Sequence, residues 1–266
     1  MSKLDETFSR LRRKGETGLV TYVMAGDPDL NRSESILRCL DSAGADVLEV
    51  GVPFSDPLAD GPVIQRASER SLAGNTTMGG TLEMLERVRP GLAAPVVVFS
   101  YVNPILAMGI RTFATRAANA GVDGVLAVDL PIEEADEFRA AMLEARLDTI
   151  FLLSPTTTAA RIQKAAELGR GFLYGISRLG VTGARPRLAD GVEDMASRIR
   201  DLTDMPLALG FGVSNPVQVA TICRWADAAV VGSGLVAEIE KAAGGSTLEA
   251  RVAKYIGWLK ATDGLD

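Results

Sequence analysis

Short apolar runs alternate along this chain with longer segments whose apolar positions recur at helical spacing. Residues 3–13 are charged and amphipathic, with Leu4, Phe8 and Leu11 on one face, which predicts a short helix ahead of the main fold. Apolar runs at 19–24, 47–52, 96–99, 124–128, 149–153, 171–176, 207–209 and 228–231 read as eight strands. Between and after them, helices are expected at 33–43, 62–72, 78–88, 110–120, 132–145, 159–168, 192–202, 216–224, 235–242 and 248–261. Tyr101-Val102-Asn103-Pro104 reads as an exit loop. The strands show little polar alternation, as expected of a parallel sheet covered on both faces. A helix-to-strand phrase also recurs: Ala-Gly-Ala-Asp before Val47, Ala-Gly-Val-Asp before Gly124 and Ala-Arg-Leu-Asp before Thr149. Eight such units in 266 residues predict a single (β/α)8 barrel domain over 1–266, with an extra N-terminal helix and additional helices. A doubly wound open sheet is the alternative.

In a barrel the chemistry collects at the C-terminal ends of the strands. There the pattern is broken once. Glu49 interrupts the run of Val47, Leu48, Val50 and Val52, on the same strand face as Val47 and Gly51. A carboxylate in such a run costs several kcal/mol unless it is paired, hydrogen-bonded or protonated. A helix cap or a buried arginine could satisfy it; so could a catalytic role. The loop that follows carries two more acids, Asp56 and Asp60. The last two strands end in Gly210-Phe211-Gly212 and Gly232-Ser233-Gly234, where backbone N–H groups and a helix start can hold an anion. Tyr101, Tyr174 and Phe211 could wall an aromatic pocket or simply pack the barrel. Asp129, before Leu-Pro, reads as a turn cap, and Arg178, Arg185 and Arg187 as solvated charges or part of a gate.

Composition narrows the chemistry further. A net charge of −6 argues against a nucleic-acid surface or an anionic membrane patch. No apolar stretch approaches a membrane span, the polar N-terminus is no signal peptide, and Cys39 and Cys223 read as buried thiols, so the cytoplasm is expected. The chain has no histidine, which removes histidine-based nucleophilic triads and histidine-ligated metal sites. Acid–base work falls to carboxylates, tyrosine, lysine or cysteine.

Leu-Glu-Val-Gly-Val-Pro-Phe-Ser-Asp-Pro-Leu-Ala-Asp-Gly-Pro, residues 48–62, strongly resembles the signature of the tryptophan synthase alpha chain family. The resemblance continues through Met24-Ala25-Gly26-Asp27-Pro28, Asp129-Leu130-Pro131, Ser154-Pro155-Thr156, Gly180-Val181-Thr182-Gly183-Ala184 and Val231-Gly232-Ser233. It implies a barrel that cleaves indole-3-glycerol phosphate to indole and glyceraldehyde 3-phosphate. Glu49 would make the proton transfers, and Asp60 would offset charge on the ring nitrogen. It also implies substrate and phosphate contacts at Tyr101, Tyr174, Thr182, Gly183, Phe211, Gly212, Gly232 and Ser233, with Thr182 reaching Asp60. Loops 53–60 and 178–190 would close over the substrate. No metal or cofactor is expected on this chain; pyridoxal phosphate would sit on a beta-chain partner in an alpha2beta2 heterotetramer. That partner would meet segments 53–57 and 101–109. A stand-alone lyase releasing free indole and a non-catalytic phosphate-binding barrel are the competing readings.

Overall fold

The computed structural model describes residues 1–176, 191–210 and 212–262. Helix α1 (Lys3–Lys14) starts at a capping box, in which the Ser2 hydroxyl accepts the Asp5 N–H and the Asp5 carboxylate accepts the Ser2 N–H. The chain then runs β1 (Gly18–Met24), α2 (Leu30–Ser42), β2 (Val47–Gly51), α3 (Pro62–Ala73), α4 (Met78–Val88), β3 (Val96–Ser100), α5 (Val102–Met108), α6 (Ile110–Asn119) and β4 (Gly124–Ala127). It continues through α7 (Asp136–Glu144), β5 (Asp148–Leu153), α8 (Ala159–Leu168), β6 (Leu173–Ile176), α9 (Val192–Arg200) and β7 (Leu207–Gly210). It closes with α10 (Pro216–Cys223), β8 (Ala228–Val231), α11 (Ser233–Ala242) and α12 (Leu248–Lys260). The strands pair in parallel in sequence order, and β1 pairs with β8, so the sheet is a closed barrel and not an open doubly wound one.

Two apolar layers hold it. Outward residues of the strands pack under the helix ring, among them Leu19, Val23, Leu48, Val50, Val96 and Val98. Inside, Val20, Val47, Val97, Leu126, Ile150, Ala208 and Val230 form a second core. Leu4, Phe8 and Leu11 of α1 join that inner core, so the N-terminal helix plugs the bottom of the barrel. Phe8 meets Phe172 at 5.4 Å, and Arg10 and Arg12 tie the helix to Asp46 and Asp227. The opposite, C-terminal end is left for the loops that follow the strands. Among the described residues no helix is long and apolar enough to cross a membrane.

Three expectations need correction. Residues 102–108 are helical, not an exit loop: Pro104 falls in the first turn of α5, where its missing N–H costs nothing. The helix expected at 132–145 is broken into a 3-10 turn, Ile132–Glu134, and α7, with Ala135 turning the backbone between them. Cys39 and Cys223 are free but only half-buried.

Candidate active site

Glu49 occupies the middle of β2 with its side chain inside the barrel, in register with Tyr22 of β1 and Val97 of β3. It is 0% exposed, and neither carboxyl oxygen has a hydrogen-bond partner among the described residues. Among the described residues neither a helix cap nor a buried arginine meets it. Burial alone pushes its pKa up to about 8, so near neutral pH the group holds its proton.

Asp60 and Asp56 come from one loop but part company in space. Asp56 is exposed, whereas Asp60 is 5% exposed, directly before Gly61, the N-cap of α3, with Pro62 in the helix's first turn. Burial raises Asp60 to about 6, and a hydrogen bond from Tyr101 partly offsets the rise. Tyr101 precedes α5; its hydroxyl donates to Asp60 Oδ2 at 3.2 Å and accepts the Ala59 N–H at 2.9 Å. The Asp129 carboxylate accepts the Val102 N–H at 2.7 Å, so its role is structural, capping α5 of the preceding unit.

Tyr174 on β6 is buried, and its hydroxyl lies where a side chain at Gly210, at the end of β7, would stand: an added Cβ would be 3.0 Å away. Burial first, then the neighbouring Glu49 and Asp60 carboxylates, hold the Tyr174 hydroxyl well above its ordinary pKa. The same groups act on Tyr22, which the sequence reading did not single out. Tyr22 lies over Gly51: a Cβ there would sit 2.1 Å from its hydroxyl. The missing side chain lets Tyr22 reach across β2 to Phe99 of β3, edge-on with ring centroids 5.4 Å apart. The signal for Tyr22 was available in β1, where it shares the inward parity of Val20, but parity alone does not say which inward aromatic stands beside an acid.

The glycine-bearing ends of β7 and β8 meet beside this cluster. A Cβ at Gly234 would come within 3.2 Å of Val213 O, so the start of α11 lies against the loop after β7. Gly212 has φ +67°, a backbone that side chains disfavour. Gly232 caps α11 without a side-chain hydrogen bond, and Ser233 is the buried first residue of that helix. Among the described residues no side chain caps the first-turn N–H groups of α11, as an anion site requires. Thr182, Gly183 and Phe211, with the rest of 177–190, lie outside the described residues. No group of three or more acidic or sulfur side chains suited to a metal ion occurs among the described residues.

Known proteins match this arrangement over almost the whole chain. A family model described as tryptophan synthase alpha chain matches residues 8–262. The tryptophan synthase alpha chain of Geotalea uraniireducens is 47% identical over 261 residues, covering 98% of this chain and 97% of that protein. That of Methylococcus capsulatus is 49% identical over 243 residues, 91% of each. A solved chain of Mycobacterium tuberculosis tryptophan synthase superposes with a TM-score of 0.90 at 36% identity, covering 97% of this chain and 96% of that one. A closed parallel barrel, a buried acid pair at its mouth and end-to-end similarity of this degree lead to one assignment: the chain belongs to the tryptophan synthase alpha chain family.

Proposed function

We propose that this chain performs the retro-aldol cleavage of indole-3-glycerol phosphate to indole and glyceraldehyde 3-phosphate. The observation that carries this reading is the split between two buried carboxyl groups at one barrel mouth. Glu49, at about 8, is an acid at pH 7, while Asp60, at about 6, is mostly a carboxylate. Protonated Glu49 donates to the indole ring carbon that bears the side chain, which places positive charge on the ring nitrogen. Asp60 faces the ring N–H and offsets that charge. As the C–C bond breaks, the Glu49 carboxylate takes the proton of the adjacent side-chain hydroxyl, which becomes the aldehyde, and the enzyme returns to its starting state. Tyr101 and Tyr174 border the ring, and the phosphate rests on backbone N–H groups of Gly183, Gly212, Gly232 and Ser233.

The product indole is passed to a beta chain that carries the pyridoxal phosphate, within an alpha2beta2 assembly in the cytoplasm. Leu58 and Leu106, 87% and 53% exposed, are large apolar side chains on and beside the segments assigned to that contact. The test is indole release by the purified chain, alone and with a tryptophan synthase beta chain. Slow release that rises strongly with the partner is expected. Fast release without a rise would favour the stand-alone lyase, and no release by folded protein in either case would overturn the enzymatic reading.

A further inference from the structure

We propose that Ser68 is a positioning residue for Asp60, acting through Phe54 and Tyr101; its kinetic consequence rests on the function proposed above. Ser68 lies on the inner face of α3 and is 1% exposed. Its single hydroxyl accepts the Phe54 N–H at 3.0 Å and donates to the Phe54 carbonyl at 3.0 Å. Both main-chain groups of a loop residue are thus satisfied by one side chain, in place of a backbone ladder. With its backbone pinned, Phe54 sets its ring against Tyr101, centroids 5.1 Å apart and planes inclined by 34°. The Tyr101 hydroxyl in turn makes the hydrogen bond to Asp60 Oδ2.

The same helix holds the other end of the loop. Gln65 Nε2 donates to the Asp60 carbonyl at 2.8 Å, one turn before Ser68. Loop 53–60 therefore leaves β2 and re-enters α3 with its start stitched to Ser68 and its end to Gln65. The Ala59 N–H also holds the Tyr101 hydroxyl, so a drift of the Phe54 ring against which Tyr101 packs weakens the bond to Asp60 without abolishing it. Among the described residues, the ionisable groups that interact with the Asp60 carboxyl are Tyr101, Tyr22 from β1 and Tyr174 from β6. Of these, Tyr101 is the one that lowers its proton affinity.

The experiment is a carbon-13 carboxyl titration of the full chain labelled at aspartate, with the Asp60 signal assigned through Asp60→Asn. Tyr101→Phe deletes the hydrogen bond and should raise the Asp60 midpoint by roughly one pH unit. Ser68→Ala should raise it by roughly half a unit, a partial loss of the same bond. The double variant should titrate no higher than Tyr101→Phe alone. Phe54→Ala removes the middle link from a half-buried site and should reproduce the Ser68→Ala shift, whatever the fate of the Ser68 variant's folding. Ser71→Ala removes another buried α3 hydroxyl, bonded to the Ala25 carbonyl, and should leave the titration in place. Indole release by Ser68→Ala should fall roughly tenfold in kcat, since a misplaced charge partner acts on the transition state. The proposal is overturned if Ser68→Ala and Phe54→Ala titrate as wild type, if the two shifts add in the double variant, or if Ser71→Ala moves Asp60 equally. The titration needs no substrate, so a wild type that fails to cleave indole-3-glycerol phosphate would refute the proposed function without touching this result.

Discussion

Glu49→Gln should make the protein more stable while abolishing its chemistry. An isolated carboxyl at this position titrates near 4.5 in the unfolded chain and at about 8 when folded. The folded state holds the proton more tightly, so ionisation favours unfolding. With respect to this group, wild type is at full stability below pH 4.5 and loses stability as pH rises toward 8. At pH 7 the group is protonated in the folded protein and ionised in the unfolded chain, a cost to folding of about 3 kcal/mol. At pH 5 the same linkage gives under about 1 kcal/mol. Glutamine is of similar shape, stays neutral, and leaves the other carboxyl groups common to both proteins. Urea denaturation of the two proteins from pH 4 to pH 8 checks this. With an m-value of about 3 kcal/mol/M, the variant's midpoint should lie about 1 M higher at pH 7 and converge on wild type at pH 4. A difference that is flat with pH, or a variant less stable than wild type at pH 7, would refute the argument that Glu49 sits unpaired in an apolar wall.

The rate of indole release should be bell-shaped in pH, rising as Asp60 ionises through about 6 and falling as Glu49 loses its proton through about 8; a profile flat across that span would remove the assigned roles. Gly51→Ala should displace Tyr22, whose hydroxyl stands 2.1 Å from the new methyl, and cost about 2 kcal/mol with a raised KM, seen in urea midpoints and steady-state kinetics. Arg70→Ala should lower the urea midpoint by about 1 M at pH 8, because Asp27, 2% exposed, loses both hydrogen bonds of its bidentate partner and keeps a buried charge at a cost of about 3 kcal/mol. That loss should shrink at low pH, where Asp27 takes up a proton.

The apolar pattern was enough for the eight strands, and the pairing of β1 with β8 decided that they close into a barrel. Eight short runs without polar alternation read as strands covered on both faces, and each was found where the pattern put it, to within a few residues. Local patterns were weaker where capping decides. The turn of helix at Val102 depends on Asp129, a side chain from a different βα unit, and no window around residue 102 contains it. Ala135 likewise breaks a segment whose composition is helical throughout.

At the mouth of the barrel the division follows the same physics. Sequence by itself marked Glu49, because strand alternation and the cost of an apolar setting for a carboxyl are local facts. Residue pattern placed Asp56 and Asp60 in the same loop without telling them apart; only the family resemblance singled out Asp60. Tertiary structure decided that: the Gly61 cap and the Tyr101 hydroxyl draw Asp60 inward, while Asp56 stays in water. Tyr22 is a neighbour of Glu49 through the β1–β2 register, and Gly51, two residues further along β2, leaves the gap that its ring fills. Strand identity is written in the order of residues; which acid is buried, and beside what, depends on elements far apart in the chain packing into one volume.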